Sequence, residues 1–266
     1  MVTIRDDHAL ARDLAAEAGE RLLALRAGQG FGDPTALRQA GDRESHVHLM
    51  ESLSRLRPSD YVLSEEGTRE ERLSPRRRVA DRVWIIDPLD GTREFGEAGR
   101  ADWAVHVALW QRGAAQSAGA QGELVAGAVA LPAQGVTLST AEPSELPRSR
   151  PGRIRIAVSR TRPPEFVKKL AYLVGADLVP MGSAGAKIVA VVTGEVEAYV
   201  HSGGQYEWDS AAPVAVARAA GAHTSRIDGS PLVYNQENPS LPDILVSLPD
   251  LAPTLLAGIR DAHRQG

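Results

Sequence analysis

The chain has 266 residues, with 30 Lys and Arg against 34 Asp and Glu for a formal net charge of −4, 43% hydrophobic residues and no cysteine. That length can bury a large core, in one α/β unit or in two of about 100–150 residues, and the composition is that of an ordinary globular protein. The mild negative charge lacks the basic face of a nucleic-acid binder, the missing cysteines exclude disulfides and thiolate chemistry, and no apolar run reaches the roughly 18–20 residues of a membrane span.

The first residues, MVTIRDDHALARDL, carry acids where a signal peptide would have a basic start and an apolar centre, so a cytoplasmic protein is expected. Over residues 6–26, Leu10, Leu14, Ala18 and Leu22 recur every fourth position, which predicts an amphipathic helix ended by Gly28 and Gly30. A second helix is predicted over about 43–57, with Val47, Met50, Leu53 and Leu56 on one side, Asp42 as its cap and Pro58 as its stop. The period then changes. Residues 61–63, 83–86, 103–110, 124–131 and 136–139 read as strands of a largely antiparallel sheet. The Pro-, Ser- and Arg-rich stretch 141–152 reads as a linker between an N-terminal α+β half, 1–145, and a C-terminal α/β half, 152–266. In that second half strands are predicted at 154–158, near Leu178, at 196–200 and at 244–247. Helices are predicted at 163–174, 183–193, about 209–220 and 249–263.

The densest chemistry lies in Trp84-Ile85-Ile86-Asp87-Pro88-Leu89-Asp90-Gly91-Thr92. A buried strand delivers its end to Asp87, and Pro88 blocks further sheet pairing. Asp87 and Asp90 can share a hard cation, the Leu89 carbonyl can join them, and Gly91 lets backbone amides approach an anion. An acidic turn after a strand is the plainer alternative. Glu65-Glu66 also follows a short apolar strand, and one sheet would bring it beside Asp87. Asp209, in Glu207-Trp208-Asp209-Ser210-Ala211-Ala212-Pro213, starts a small-residue helix and reads equally as its N-cap. Trp208 reads as a core aromatic.

These three separated motifs, in this order and spacing, resemble the inositol monophosphatase superfamily of magnesium-dependent, lithium-sensitive phosphatases. The extension Arg93-Glu94-Phe95 after Gly91-Thr92 resembles its CysQ branch, which hydrolyses 3′-phosphoadenosine 5′-phosphate to AMP and phosphate in sulfate assimilation. The resemblance implies a layered αβαβα sandwich, α+β in its first half and α/β in its second. It assigns Glu65, Asp87 and the Leu89 carbonyl to one Mg2+, and Asp87, Asp90 and Asp209 to a second. A third, looser ion would use Glu65. Such ions fit in-line phosphoryl transfer. Glu65, Asp90, Gly91, Thr92, Arg93, Ser183, Lys187, His201 and Asp209 become candidate substrate contacts.

Gly182-Ser183-Ala184-Gly185-Ala186-Lys187 precedes a helix, so Ser183 is expected to cap it and its free amides to face substrate. The relatives' loop there is one residue shorter. His201 stands where relatives often carry Arg, as a nucleotide contact or a solvent-exposed strand end. No Ser, Cys or His sits in a nucleophile motif, which leaves a metal-activated water. Thr92 would pass its proton to Asp42, the one survivor of the relatives' Lys-x-Asp-x-Ser-Pro-Val-Thr-x-x-Asp motif; Asp42 reads otherwise as a helix cap alone. Arg160 and Arg162 could hold a second phosphate or be solvated. Arg76-Arg77-Arg78 reads as a mobile charged loop, Glu66 as either a support behind the metal ligands or a solvated loop acid, His46 and His48 as pointing to different helix faces, and His106 as a satisfied sheet residue. The expected partner is a small phosphorylated metabolite, not nucleic acid or membrane, and a homodimer is left open. An inositol monophosphatase or fructose 1,6-bisphosphatase with the same metal core is the alternative enzyme. A catalytically silent metal- or phosphate-binding module is the alternative of another class.

Overall fold

A computed structural model describes residues 6–113, 121–148 and 152–264. The stretch read as a linker is irregular over 143–148, and its residues 149–151 lie outside the described set. Helix α1, Asp7–Gln29, starts where the Asp6 carboxylate accepts the Ala9 N–H at 2.7 Å. It runs through Gly28 and ends at Gly30, whose φ is 66°. Leu10, Leu14, Ala18 and Leu22 are buried, as the fourfold spacing requires.

The second helix corrects the reading. Helix α2 spans Pro34–Leu56, nine residues longer at its start than expected. Asp33 caps it, accepting from the N–H groups of Thr35 and Ala36 at 3.0 Å each, and Pro34 takes the first helical position. Asp42 is therefore interior to α2 and caps nothing. Val47 is 44% exposed, while Leu37, Leu49 and Leu53 form the buried stripe. Gly41, which breaks the sequence pattern, lets α2 pack tightly on Phe95 and Leu89. A Cβ there would stand 2.6 Å from Phe95 Cε1 and 2.9 Å from Leu89 Cδ2.

The first sheet contains β1, Tyr61–Ser64; β2, Arg82–Asp90; β3, Ala104–Arg112; β4, Gly122–Leu131; and β5, Val136–Ser139, in that order. Among its described residues only the β1–β2 pair is parallel. Short helices α3, Arg69–Arg72, and α4, Pro75–Val79, join β1 to β2, and α5, Thr92–Phe95, follows β2. The second half runs β6, Arg155–Ser159; α6, Glu165–Val174; β7, Asp177–Met181; α7, Ala184–Val192; β8, Ala198–Ser202; α8, Glu207–Ala219; β9, His223–Ser225; β10, Asp243–Ser247; and α9, Ala252–Arg264. Its sheet has the order β7-β6-β8-β10-β9, with β6 parallel to both β7 and β8.

The layers follow from which faces are apolar. Trp84, Ile86, Val105 and Val107 pack with Leu10, Leu14, Leu49 and Leu53 of α1 and α2. On the other face, Val83, Ile85 and Trp110 join α7 and α8 and the inner face of the second sheet in one buried cluster. Ile156, Val158, Val200 and Leu245 then pack against α6 and α9. The result is an αβαβα sandwich. A strand covered on both faces reads as a nearly continuous apolar run, as in Val83–Ile86, because each buried Val, Leu or Ile contributes roughly 1.5–3 kcal/mol. Among the described residues, no helix is long and apolar enough to cross a membrane.

Candidate active site

Strand β2 does not stop at Pro88. Asp87 pairs with His106 and Asp90 with Ala104, so three steps along β2 match two along β3. Pro88, which lacks a donor, is accommodated in this bulge, and pairing resumes beyond it. The bulge points Asp87 inward: its Oδ1 accepts the Leu89 N–H at 3.1 Å, and among the described residues no amide or alcohol donates to its buried Oδ2. The parallel register sets Ser64 opposite Ile86, and the next N–H, of Glu65, donates to the Ile86 carbonyl at 3.3 Å. Glu65 thereby lies beside Asp87.

Asp90 is held from the second half of the chain. Its Oδ2 accepts the Ser183 hydroxyl at 2.6 Å and the Gly185 N–H at 2.8 Å, and faces His106 Nε2 at 3.3 Å. Ser183 sits at a φ of 47° and also caps α7, accepting the Ala186 N–H at 2.9 Å. Gly91 has a φ of 84°, and a Cβ there would lie 3.2 Å from both the Asp102 carbonyl oxygen and Ser183 Cβ, so the turn requires glycine. The Gly182 N–H in turn donates to Asp102 at 2.6 Å. Asp209 is the third residue of α8; its Oδ2 closes the first turn by accepting the Tyr206 N–H at 2.6 Å.

Crowding of carboxylates sets the electrostatics. Burial, then the charges of Glu65, Asp90 and Asp209, push the Asp87 carboxyl well above its ordinary range. Burial raises Glu65 to about 7, with Asp90, Glu66 and Asp42 adding to the rise against a hydrogen bond from Asp87. Burial and the charge of Asp90 raise Asp209 to about 7. Asp90 itself is lowered: burial opposes ionisation, but His106, Lys187 and the Ser183 hydroxyl outweigh it. The Lys187 ammonium offsets only part of the charge of four converging carboxylates. Carboxylate and carbonyl oxygens are what magnesium takes, so the residues present fit a hard divalent cation. Asp87, Asp90 and His106 place one potential ligand atom each within 4.8 Å of the others.

Thr92 opens α5, where its hydroxyl lies 3.3 Å from Asp42 Oδ1 and 3.0 Å from the Leu89 carbonyl oxygen. Burial and the charge of Glu66 raise Asp42 to about 6, against the Thr92 hydrogen bond.

The other sequence candidates fall in different places. Arg93 is exposed beside this turn, and Glu66 is exposed, as the loop-acid alternative requires. Lys187 is 5% exposed; its ammonium donates to the Gly182 and Ser183 carbonyls at 3.1 and 2.5 Å, under the loop that grips Asp90. His201 is also buried, so the solvent-exposed alternative is wrong. Its Nε2 meets the Gly203 carbonyl at 2.8 Å, and its buried Nδ1 has no partner among the described residues. Burial lowers its pKa. Arg160 is engaged by Glu94 at 2.7 Å and Glu97 at 3.0 Å.

Arg76-Arg77-Arg78 is not a mobile loop. Arg77 is fully buried and donates to Asn235 Oδ1 at 2.6 Å and to the Gln236 and Glu237 carbonyls at 2.7 and 3.2 Å. The same segment gives the Asn235 and Gln236 N–H groups to Glu207, the buried first residue of α8, at 2.7 Å each. Arg77 and Glu207 thus brace the helix that carries Asp209. Nothing in the sequence near Arg77 announces this partner, which lies 158 residues away. A cavity of about 1120 Å³ opens elsewhere, lined by Asp7, His8, Arg55 and Arg82.

The chain is similar to several known proteins. A 3'-phosphoadenosine 5'-phosphate phosphatase of Mycobacterium leprae is 52% identical over 96% of this chain and 94% of its own length. The 3'(2'),5'-bisphosphate nucleotidase CysQ of Escherichia coli is 31% identical over 73% of this chain and 78% of its own. The crystal structure of inositol monophosphatase II from Staphylococcus aureus shares the fold, with a TM-score of 0.74 at 23% identity over 93% of each chain. With residues 7–263 also matching the family's sequence pattern, the chain belongs to the inositol monophosphatase family.

Proposed function

We propose that the chain is a magnesium-dependent phosphatase that hydrolyses 3′-phosphoadenosine 5′-phosphate to AMP and phosphate in the cytoplasm, serving sulfate assimilation. The observation that carries the reading is the convergence of Glu65, Asp87, Asp90 and Asp209, with raised pKa values at three of them. The activity named for the M. leprae relative supports the substrate. Two to three Mg2+ would be held by these four carboxylates and the Leu89 carbonyl. When bound they would offset phosphoryl charge and acidify the attacking water.

The chain's own residues supply the rest. Ser183 and the Gly185 amide hold one oxygen of Asp90, which leaves Oδ1 for a cation. The Gly91 turn opens backbone N–H groups toward the phosphoryl oxygens. The Thr92 hydroxyl accepts a proton from the incoming water and donates its own to Asp42, whose pKa of about 6 suits a base near neutral pH. Arg93, exposed beside the turn, would meet a phosphate of the nucleotide, while buried Lys187 would shape the loop.

A phosphate-release panel tests the proposal with the nucleotide, inositol monophosphate and fructose 1,6-bisphosphate in parallel. The nucleotide is expected to lead by at least about tenfold in kcat/KM, a difference one charged hydrogen bond can supply. A faster rate on inositol monophosphate or fructose 1,6-bisphosphate would overturn the substrate assignment and leave the family standing. Lithium, a small hard cation, is expected to inhibit.

A further inference from the structure

Glu94, in the middle of the Arg93-Glu94-Phe95 extension, reaches across to the other half of the chain. It is buried, and its Oε1 accepts from Arg160 Nε at 3.1 Å and from Arg160 Nη2 at 2.7 Å. The same Nη2 donates to Glu97 Oε1 at 3.0 Å. Among the described residues, every hydrogen bond from the second half to residues 92–97 comes from this one side chain. Arg160 also holds the Ser183 loop by its backbone, since its N–H donates to the Met181 carbonyl at 3.0 Å, just ahead of Gly182. The loop rests directly on Glu94: a Cβ on Gly182 would stand 2.4 Å from Glu94 Cγ and Cδ. On the other side, the Phe95 N–H donates to the Gly91 carbonyl at 2.9 Å, so α5 and the Gly91-Thr92 turn move together.

We propose that Glu94 and Arg160 are positioning residues, a clasp across the two halves that sets the spacing between the Gly91-Thr92 turn and the Ser183 loop. The proposal rests on the reading of that turn as the cradle of the phosphoryl group. The turn belongs to the first half, and Ser183, which grips Asp90, belongs to the second. Their spacing decides whether the turn and the carboxylate cluster meet one phosphoryl group together. A misplacement of about 1 Å can cost about 10²-fold in rate. Two charged N–H donors converge on one oxygen of a side chain only 7% exposed, which places this contact among the stronger hydrogen bonds. The outer pair with Glu97, 39% exposed, adds little. Without the clasp α5 stays anchored on its own half, where Arg26 donates to the Glu97 and Arg100 carbonyls at 2.6 and 2.9 Å. What is lost is spacing, not fold. Direct contact of Arg160 with the second phosphate of the nucleotide is the competing role.

The test compares the parent with Glu94→Ala, Arg160→Ala, the double variant, Glu94→Gln and Arg160→Lys at saturating Mg2+, alongside thermal melts. Turnover is measured on 3′-phosphoadenosine 5′-phosphate and on adenosine 3′-monophosphate. Binding of inorganic phosphate and of Mg2+ is measured by titration calorimetry. Each alanine variant is expected to lower kcat by about tenfold or more and to weaken phosphate binding by about fivefold or more, with Mg2+ affinity within about threefold of the parent. Both nucleotides are expected to lose by the same factor, because the clasp acts on the phosphoryl group being transferred. The double variant is expected to match the single ones within about twofold, since each removes the same contact. Glu94→Gln and Arg160→Lys, which keep an acceptor or a charge in place, are expected to recover part of the loss.

Parent-like kcat and phosphate binding in the two alanine variants would overturn the proposal, as would losses that multiply in the double variant. A loss in Arg160→Ala confined to the nucleotide with two phosphates would make that arginine a substrate contact and overturn the positioning role. Losses of Mg2+ affinity and turnover that simply follow the melting temperatures would reduce the clasp to a stability contact and overturn it too. Phosphate binding tests the clasp even in a parent that hydrolyses neither nucleotide, an outcome that would remove the substrate assignment alone.

Discussion

Asp42, Thr92 and Asp209 show how one residue's role depends on what surrounds it. A helix cap at Asp42 would contribute about 1 kcal/mol to stability and nothing to chemistry, but α2 begins at Pro34 and Asp33 does the capping. Asp42 is free to receive the Thr92 hydroxyl, 3.3 Å away. Asp42→Asn and Thr92→Ala are each expected to lower kcat by roughly 10²–10⁴-fold with little change in magnesium dependence. Steady-state kinetics at saturating Mg2+ decides it, and a loss of only a few-fold in Asp42→Asn would reduce that residue to a spectator. Asp209→Asn removes a charge from the cluster that depends on a cation for balance. Turnover is expected to vanish while the magnesium-free protein melts a few degrees higher near neutral pH, because carboxylate repulsion is relieved. Circular dichroism melts in chelator check the second half of that expectation.

Helix α8 shows what an element needs in order to carry a ligand. Its first residue, Glu207, is buried and pushed to about 7 by burial, against two backbone N–H donors and the charge of Arg77. Arg77→Ala would strip four acceptors, the Arg72 carbonyl among them, of their donor and remove the charge that faces Glu207, at a cost of about 2–4 kcal/mol. Chemical denaturation would measure the loss; a change under 1 kcal/mol would mean that α8 is seated by its apolar face alone. Helix α2 tests close approach instead: Gly41→Ala would overpack Phe95 and Leu89 by about 1–3 kcal/mol and disturb the carbonyl that Thr92 faces. These two elements also mark the limits of the sequence. The spacing of Leu10, Leu14, Ala18 and Leu22 identifies α1 because a solvent-facing helix needs one apolar stripe. In α2 the stripe includes Gly41, Ser45 and Ser52, small residues buried by close packing that no apolar count registers, so its face and start were misread. The carboxylate motifs were legible because metal ligation constrains residue type locally. Arg77, Glu207 and His106 were not, since each takes its partner from a distant segment.

At the scale of the whole molecule, one half of the sandwich supplies Glu65, Asp87 and Asp90 and the other supplies Asp209 and the Ser183 loop, so the site joins them. We propose that 1–145 and 152–266 act as two halves coupled through it. Proton linkage gives this a measurable form. Glu65 and Asp209 rise from ordinary values of 4.5 and 3.8 to about 7, so the folded magnesium-free protein retains protons that the unfolded chain has released. The stabilisation from these two groups is full below about pH 4 and is lost as pH rises through about 7. Melting of the magnesium-free protein across that window is expected to fall more steeply for the parent than for Asp209→Asn, and saturating Mg2+ should flatten the difference. The account as a whole stands on cation-dependent chemistry at these carboxylates. Its most direct test is the rate of phosphate release from 3′-phosphoadenosine 5′-phosphate by the chelator-stripped protein as Mg2+ is titrated back. The account predicts no release above background without Mg2+, saturable recovery on its return, and no recovery in Asp209→Asn at any Mg2+ concentration. Release by the stripped parent, or full recovery in Asp209→Asn, would contradict it.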